Sequence, residues 1–328
     1  MHESKIRVGA PSGTISAMTY TELRYILAVA RTRNFRRAAE LCFVSQPALS
    51  LGIQSIEAEL GVRIFERSRA SVQITPAGTP ILVQAQRALD EFERVRTVAR
   101  EGLDPLSGPL KLGVIFTIGP YLIPDLLPAL AEVAPLMPLA IEENTTAQLA
   151  TQLKMGQIDV AILALPFGGP GFALRPVYDE SFEVVVRKDH PLARLRSVKP
   201  TQLNEHKVLL LGEEHCFANQ VAQACPGVRD GGETPAGNSL ETVRNMVASG
   251  FGITVLPAAA NTERYRSPLL RSIPFAAPSP YRRVALAHRS SYTRMPAIET
   301  LEQALRALAS RERRLVAPRV SRAAASGR

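Results

Sequence analysis

The sequence offers little to a membrane. Across its 328 residues no apolar run comes near the roughly 18 consecutive positions that a spanning helix needs. Cysteine is scarce. Three residues, an odd number, are too few for a disulfide-stapled secreted domain and fit a reducing compartment better. Met1 to Tyr20 carries charges and lacks the apolar centre of a secretory signal. These absences point to a cytoplasmic chain with no membrane partner. Familiar catalytic signatures are also missing: there is no Cys-x-x-Cys pair, P-loop, His-Glu-x-x-His or nucleophile elbow. Gly250-Phe251-Gly252 lacks the rest of a dinucleotide fingerprint. The expectation is a protein that is not an enzyme and needs no cofactor or metal ion.

What is present is enough for about two globular domains at roughly 150 residues each. Apolar residues make up 46%, which supports ordinary buried cores. The net charge of +9 is unevenly spread. Residues 1–107 hold 14 basic and 11 acidic side chains, residues 108–310 hold 19 and 18, and residues 311–328 hold 6 and 1. A nearly neutral body therefore separates a mildly basic N-terminal region from a strongly basic tail. On charge alone this is only a weak pointer to nucleic acid.

Residues 1–18 show no periodicity and read as a disordered extension. Leu23, Ile26, Leu27 and Ala30 then follow helical spacing within Thr21 to Arg33. Asn34 can cap a second helix, Phe35 to Leu41, and Cys42-Phe43-Val44 makes a short turn. Ser45 is a good N-cap for a third helix, with Pro47 tolerated in its first turn. Leu49, Ile53, Ile56 and Leu60 give that helix one buried stripe, and Gly61 ends it. Extended pieces at Ile64–Glu66 and Val72–Ile74 read as a β-wing. Thr75 and Pro76 open a long helix to about Glu101, whose Leu82, Ala85, Leu89, Phe92 and Val95 form the seam of a paired helix.

Three short helices with this turn have helix-turn-helix geometry. The outer face of the third carries Gln46, Ser50, Gln54 and Ser55, polar side chains able to reach base edges. Arg31, Arg33, Arg36, Arg37, Arg67 and Arg69 flank the motif and suit phosphate contacts. A plain helical bundle with a solvated polar face is the alternative; the wing and the long helix favour DNA.

Beyond a linker at Gly102 to Pro109, strand-like and helical runs alternate, which predicts an α/β body. Strands are expected at Leu110–Phe116, Val160–Leu165, Phe182–Arg187, Lys207–Leu211 and Val284–His288. Helices are expected near Pro120–Ala134, Thr146–Lys154, Ser239–Ala248 and Pro296–Ser310. The boundaries drawn are 1–18, a DNA-binding domain at 19–75, a linker helix and hinge at 76–107, a regulatory domain at 108–310, and a flexible basic tail at 311–328.

The body's most unusual stretch runs from Gly212 to Pro226, where Cys216 and Cys225 stand nine positions apart. Phe217 to Ala224 is rich in Ala and Gln and favours helix. Nine helical steps separate two Cα atoms by roughly 13 Å. A disulfide needs them within about 7 Å. The spacing suits a two-state switch better than a fixed bridge. The helix dipole at Cys216 favours thiolate, while Glu213 and Glu214 oppose it. A thiolate open to peroxide forms sulfenic acid, which a second thiol resolves to a disulfide. Two buried structural cysteines are the plainer alternative. A metal site from His206, His215, Cys216 and Cys225 matches no standard zinc spacing.

Asn34-Phe35-Arg36-Arg37-Ala38-Ala39-Glu40, Val44-Ser45-Gln46-Pro47-Ala48-Leu49-Ser50 and Ile56-Glu57-Ala58-Glu59-Leu60-Gly61 resemble the winged helix-turn-helix of LysR-type transcriptional regulators. Phe65-Glu66-Arg67, Thr75 and Ala77-Gly78 resemble that family's wing and the start of its linker helix. The resemblance implies an α/β protein with an N-terminal all-α winged helix-turn-helix and an effector body of two lobes like those of periplasmic binding proteins. It implies DNA contacts from Arg36, Ser45, Gln46, Pro47, Ser50, Gln54 and Arg67. It further implies an activator that acts as a homo-oligomer, usually a tetramer built as a dimer of dimers, on double-stranded promoter DNA with RNA polymerase as partner.

His215-Cys216, Gln220 and Cys225 are similar to the redox segment of this family's hydrogen-peroxide sensors, as are Gly119 to Pro124, Ser239 to Ala248 and Gly252 to Pro257. That similarity implies Cys216 as peroxidatic and Cys225 as resolving cysteine. It implies peroxide contacts from Thr117, Thr146 and His215, with Thr145 the alternative to Thr146. Cys42 matches a packing cysteine of the DNA-binding domain. The chain departs from the pattern at Ala218, where an Arg is expected, at Asn219, where an Asp is expected, and at Phe43, where the turn is normally polar. A LysR-type regulator whose inter-lobe cleft binds a small organic ligand is the other functional reading.

Overall fold

The computed structural model describes residues 18–67, 72–99, 105–212, 214–228, 237–311 and 315–316. The chain divides into two units, Met1–Phe92 and Glu93–Arg328. The expected N-terminal extension, apart from Met18, lies outside the described residues.

In the first unit each helix starts on a side-chain cap. Thr19 and Glu22 form a reciprocal capping box for α1 (Tyr20–Thr32). Asn34 caps α2 (Phe35–Cys42), its Oδ1 accepting from the Arg37 amide at 3.0 Å. Ser45 caps α3 (Gln46–Leu60) through the Ala48 amide at 3.3 Å. Gly61 ends α3 at φ 65, a conformation glycine adopts without a Cβ penalty. Leu23, Ile26 and Leu27 of α1, Phe35 and Ala38 of α2, and Leu49, Ile53 and Ile56 of α3 form one core, as their spacing predicts. A two-stranded wing follows, β1 (Phe65–Arg67) antiparallel to β2 (Val72–Ile74).

The long helix α4 (Gly78–Ala99) is opened by Thr75 and Pro76 as expected, its first regular residue being Gly78. The Thr75 hydroxyl accepts from the Gly78 amide at 2.8 Å and donates to the Arg63 carbonyl at 2.7 Å. Leu82 and Ala85 are buried in the first unit, whereas Phe92 and Val95 stay exposed.

The second unit opens with β3 (Leu110–Ile115), α5 (Gly119–Val133), β4 (Leu139–Asn144), α6 (Thr146–Lys154) and β5 (Val160–Ala164). It continues through the long β6 (Phe172–Arg187), β7 (Val208–Leu209), α7 (Cys216–Ala224) and α8 (Leu240–Ala248). β8 (Ile253–Pro257), β9 (Leu270–Pro274), β10 (Tyr281–Arg289), α9 (Met295–Arg311) and β11 (Leu315–Val316) complete it. The strand order is β4-β3-β5-β10-β6-β8-β7, with β9 and β11 also paired to β6.

Two separate hydrophobic cores make two lobes. The first gathers β3, β5 and β10 with α5, α6 and α9. The second gathers β7, β8 and α7 with α8 and the Phe182–Val186 end of β6. β6 belongs to both, placing Val177 and Tyr178 in the first core and Phe182 and Val184 in the second. Where β6 and β10 pass between lobes they are clamped by two ion pairs. Arg282 Nε donates to Glu180 Oε2 at 2.7 Å, and Arg283 Nε to Asp179 Oδ1 at 2.7 Å. The Arg282–Glu180 pair is fully buried, each side chain 1% exposed. A second seam joins α5 to the other lobe. Tyr121 donates to Glu241 at 2.8 Å, Tyr265 donates to the Pro120 carbonyl at 2.7 Å, and Arg264 pairs with Asp125 at 3.0 Å.

Three expectations need correction. β6 starts at Phe172 rather than Phe182, because Arg175 in the first lobe and Asp179 and Glu180 at the crossing interrupt its apolar pattern. β4 was not foreseen, since this edge strand, Leu-Ala-Ile-Glu-Glu-Asn, keeps most of its residues exposed and lacks a buried face's alternation. The tail was expected to be flexible throughout, yet Leu315 and Val316 pair antiparallel with Glu180 and Asp179; its other residues after Arg311 lie outside the described ones.

Arg282→Ala or Glu180→Ala leaves one buried charge unpaired, which costs about 3–5 kcal/mol. Either change should lower the urea midpoint of the second unit markedly in a fluorescence-monitored titration. Replacing both by apolar residues of similar volume should recover most of the loss.

Candidate functional site

Three connections that lead into helices meet at one point of the second unit. The β3–α5 connection supplies Phe116 and Thr117, the β4–α6 connection supplies Thr145 and Thr146, and the β7–α7 connection supplies Glu214, His215 and Cys216. These residues, with Ile115 and Asn144, enclose a cavity of about 10 Å³. That is roughly the room a water-sized molecule requires.

Each polar group around the hollow has a defined role. Thr117 is buried, and its Oγ1 accepts from Arg282 Nη1 at 2.8 Å. Its backbone carbonyl accepts from Arg282 Nη2 at 2.9 Å. The guanidinium is thus fully engaged, and the hydroxyl proton of Thr117 is left to donate elsewhere. Thr145 is occupied as the N-cap of α6, bonded to Gln148. The Thr146 hydroxyl, in contrast, is buried and makes no hydrogen bond. Such an atom has the capacity to bond a small polar guest. Of the two neighbouring threonines, Thr146 is therefore the one with capacity to spare. His215 is also buried; its Nε2 lies 3.7 Å from Glu214 Oε1 and its ring stands edge-on to Phe116.

Cys216 is the first residue of α7, half-buried, and packs against the first core. Cys225 follows the helix and is fully buried in the second core. Both are free thiols. Burial pushes the Cys225 thiol up to about 11. With α7 intact, nine helical steps hold the two Cα atoms roughly 13 Å apart. The helix is also tied across the lobes, because Gln220 Nε2 donates to the Leu165 carbonyl at 3.1 Å. Ala218, where a longer side chain was expected, is buried; Asn219 is exposed. A much wider cleft of about 780 Å³ is lined by Leu165, Gln220, Ser279, Arg282 and Arg283. Gln220 Oε1 is buried there without a partner. His206 stacks edge-on against His190, with ring centres 4.9 Å apart.

In the first unit, Ser45, Gln46, Pro47 and Gln54 are exposed, while Ser50 and Ser55 are half-buried. Arg31 on α1, Arg33 at its C-cap, and Arg36 and Arg37 on α2 are exposed, and Arg36 makes a surface pair with Glu40 at 3.4 Å. Arg67 ends β1, and Arg69 lies outside the described residues. Cys42 is half-buried at the end of α2, and burial raises its thiol. The sequence reading overlooked three residues. Arg282 and Glu180 are the buried pair behind Thr117, detectable beforehand only as charges interrupting apolar strands. Leu51 is exposed on the same face of α3 as Pro47 and Gln54, a position that helical spacing from the buried stripe could have flagged.

Two family comparisons match. Residues 20–79 match the bacterial regulatory helix-turn-helix protein, lysR family, and residues 103–310 match the LysR substrate binding domain. The DNA-binding transcriptional dual regulator OxyR of Escherichia coli (strain K12) is 38% identical over 292 residues, covering 88% of this chain and 95% of that protein. Among solved structures, full-length OxyR from Pseudomonas aeruginosa, in a cysteine-to-aspartate variant, superimposes with a TM-score of 0.83 at 46% identity, covering 92% of this chain and 99% of that one. A cysteine-to-serine variant of Corynebacterium glutamicum OxyR with hydrogen peroxide bound gives a TM-score of 0.62 at 32% identity, covering 91% and 94%.

The raised thiol of Cys225 has a signed consequence for stability. The folded chain keeps this proton up to about pH 11, whereas the unfolded thiol releases it near its ordinary value of 9.0. The unfolded state then binds fewer protons, so stability falls as pH rises from the unfolded value through the folded one. Denaturant midpoints should decline across that window, and Cys225→Ala should flatten the decline. At pH 7 a maleimide should label Cys216 faster than Cys225, since Cys225 is sealed in the core while Cys216 is half-buried.

Proposed function

Because the chain belongs to the LysR family of DNA-binding transcriptional regulators, and within it to the OxyR group, we propose that it senses hydrogen peroxide through Cys216 and Cys225. The observation that carries the reading is the unpartnered, buried hydroxyl of Thr146, which shares a water-sized hollow with Thr117, His215 and Cys216. A small dioxygen species supplies what this hollow lacks. It can accept from the Thr117 and Thr146 hydroxyls while one oxygen faces the sulfur.

In the proposed reaction the Cys216 thiolate attacks one peroxide oxygen. An S–O bond forms, the O–O bond breaks, and the departing hydroxide takes a proton and leaves as water. His215 stands beside the sulfur to assist that proton transfer. The Cys225 thiol, once deprotonated, attacks the sulfenyl sulfur. An S–S bond forms, the S–O bond breaks, and a second water departs. Two thiols and one peroxide thus give one disulfide and two waters. The spacing along α7 requires the helix to unwind before the second step. Cys216 then leaves the first core, or Cys225 the second, and the contacts of α7 with both lobes change.

The DNA-binding unit carries this signal to promoter DNA through α3, with Gln46, Pro47, Ser50 and Gln54 toward bases and Arg36, Ser45 and Arg67 toward the backbone. The exposed apolar positions of α4, Phe92 and Val95, suit pairing with a second copy. A tetramer assembled as a dimer of dimers would then shift its half-sites on oxidation and so change its contact with RNA polymerase. Among the described residues no helix is long and apolar enough to cross a membrane.

A second reading keeps the regulator but changes the signal. The wide cleft has metabolite dimensions, and Gln220 Oε1 is buried there without a partner. A small organic ligand bound there would bias the lobes without oxidation.

One equivalent of peroxide should remove two of the three thiols, leaving Cys42 titratable with a thiol reagent. Cys216→Ser should abolish the loss. Cys225→Ser should stop at a sulfenic acid that dimedone traps. Thr146→Val should slow oxidation by about tenfold, the worth of one hydrogen bond at the reacting oxygen. A Cys216→Ser chain that still responds fully to peroxide in a reporter strain would favour the ligand reading instead.

A further inference from the structure

The turn between α2 and α3 contains a residue placed against its own preferences. Phe43 closes α2 at φ 58 and ψ 42, in the left-handed region. Its amide bonds back to Ala39 and Glu40, and the Val44 amide bonds to the Ala39 carbonyl at 3.1 Å. Glycine or asparagine fills such a position at little cost, whereas a bulky aromatic is strained there. The ring gains nothing in return from the fold, since the residue is 92% exposed. An aromatic that is both strained and solvated is a candidate for contact outside the chain.

Its surroundings indicate what that contact is. Phe43 lies two residues before Ser45, the N-cap of α3. In helix-turn-helix proteins the first turns of the second helix meet base edges in the major groove. The exposed Arg33, Arg36 and Arg37 lie on the same stretch of chain, with Glu40 the one exposed acid between Asn34 and Ser45. That surface complements a polyanion. Aromatic rings have one specific apolar mark to read in the major groove, the thymine methyl group.

We propose that Phe43 reads a thymine methyl at the edge of each DNA half-site. The inference rests on α3 entering the major groove, and its test separates the two claims. The full chain would select duplexes from a random pool, and each thymine of the selected site would be replaced singly by deoxyuridine, which removes only the methyl. Binding would be measured for the unaltered chain, Phe43→Ala and Phe43→Asn. One thymine per half-site should weaken binding of the unaltered chain about fourfold when changed, the transfer value of one methyl. Both variants should be indifferent to that change, and Phe43→Asn should melt at or above the temperature of the unaltered chain. Identical deoxyuridine profiles for all three proteins would overturn the role of Phe43 while leaving α3 as the DNA helix. Failure of the unaltered chain to select any duplex would overturn both. A variant that changes oligomeric state but keeps the unaltered profile would assign the ring to a protein contact and overturn the proposal.

Discussion

Everything distinctive about the second unit turns on a nine-residue helix whose two ends are rooted in different cores. Cys216 packs against the first and Cys225 is sealed in the second. The intact helix keeps the thiols too far apart to bond, and their packing keeps the helix intact. A static bridge is excluded by the same geometry that makes a switch available. In the proposed switch, oxidation chemistry and conformational change are one event, because a Cys216–Cys225 disulfide would close only if α7 gave up hydrogen bonds and burial.

That helix is supported by a polar arrangement deeper in the lobe junction. Glu180 neutralises Arg282, and Arg282 bonds both the hydroxyl and the carbonyl of Thr117. Its guanidinium also lies 5.4 Å from the Phe217 ring centre, directly after Cys216. The buried charge pair thus ties the crossing strands, the hollow and the start of α7 together. Breaking it would disturb fold and site at once. Remodelling α7 would alter the cation–π contact while leaving the ion pair in place.

Much of this was legible because local chemistry fixes local structure. Ser45, Gly61 and Ser239 mark helix ends by what their side chains and backbones can do, and the helices begin or end beside them. Of the four positions expected in the α3 stripe, Leu49, Ile53 and Ile56 are buried, whereas Leu60, the last helical residue before the Gly61 cap, is exposed. The sequence favoured Thr146 and left Thr145 open. The structure separates them, because only one can be the N-cap and the other is left without a partner. Non-local facts were out of reach. Arg282 meets Thr117 across 165 residues. β4 carries no periodic signal, and nothing local announces that Leu315 and Val316 will pair with β6. The separation of the two cysteines between cores is of this kind too. The spacing suggested a helix between them, but only the fold shows that each end is held by a different lobe.

Hydrogen–deuterium exchange over Cys216–Ala224, followed before and after one equivalent of peroxide and paired with mass analysis of the cysteine peptides, tests the account most directly. The account predicts a Cys216–Cys225 disulfide accompanied by loss of amide protection along α7. A linked pair with the helix amides still protected, or unprotected amides with both thiols free, would contradict it.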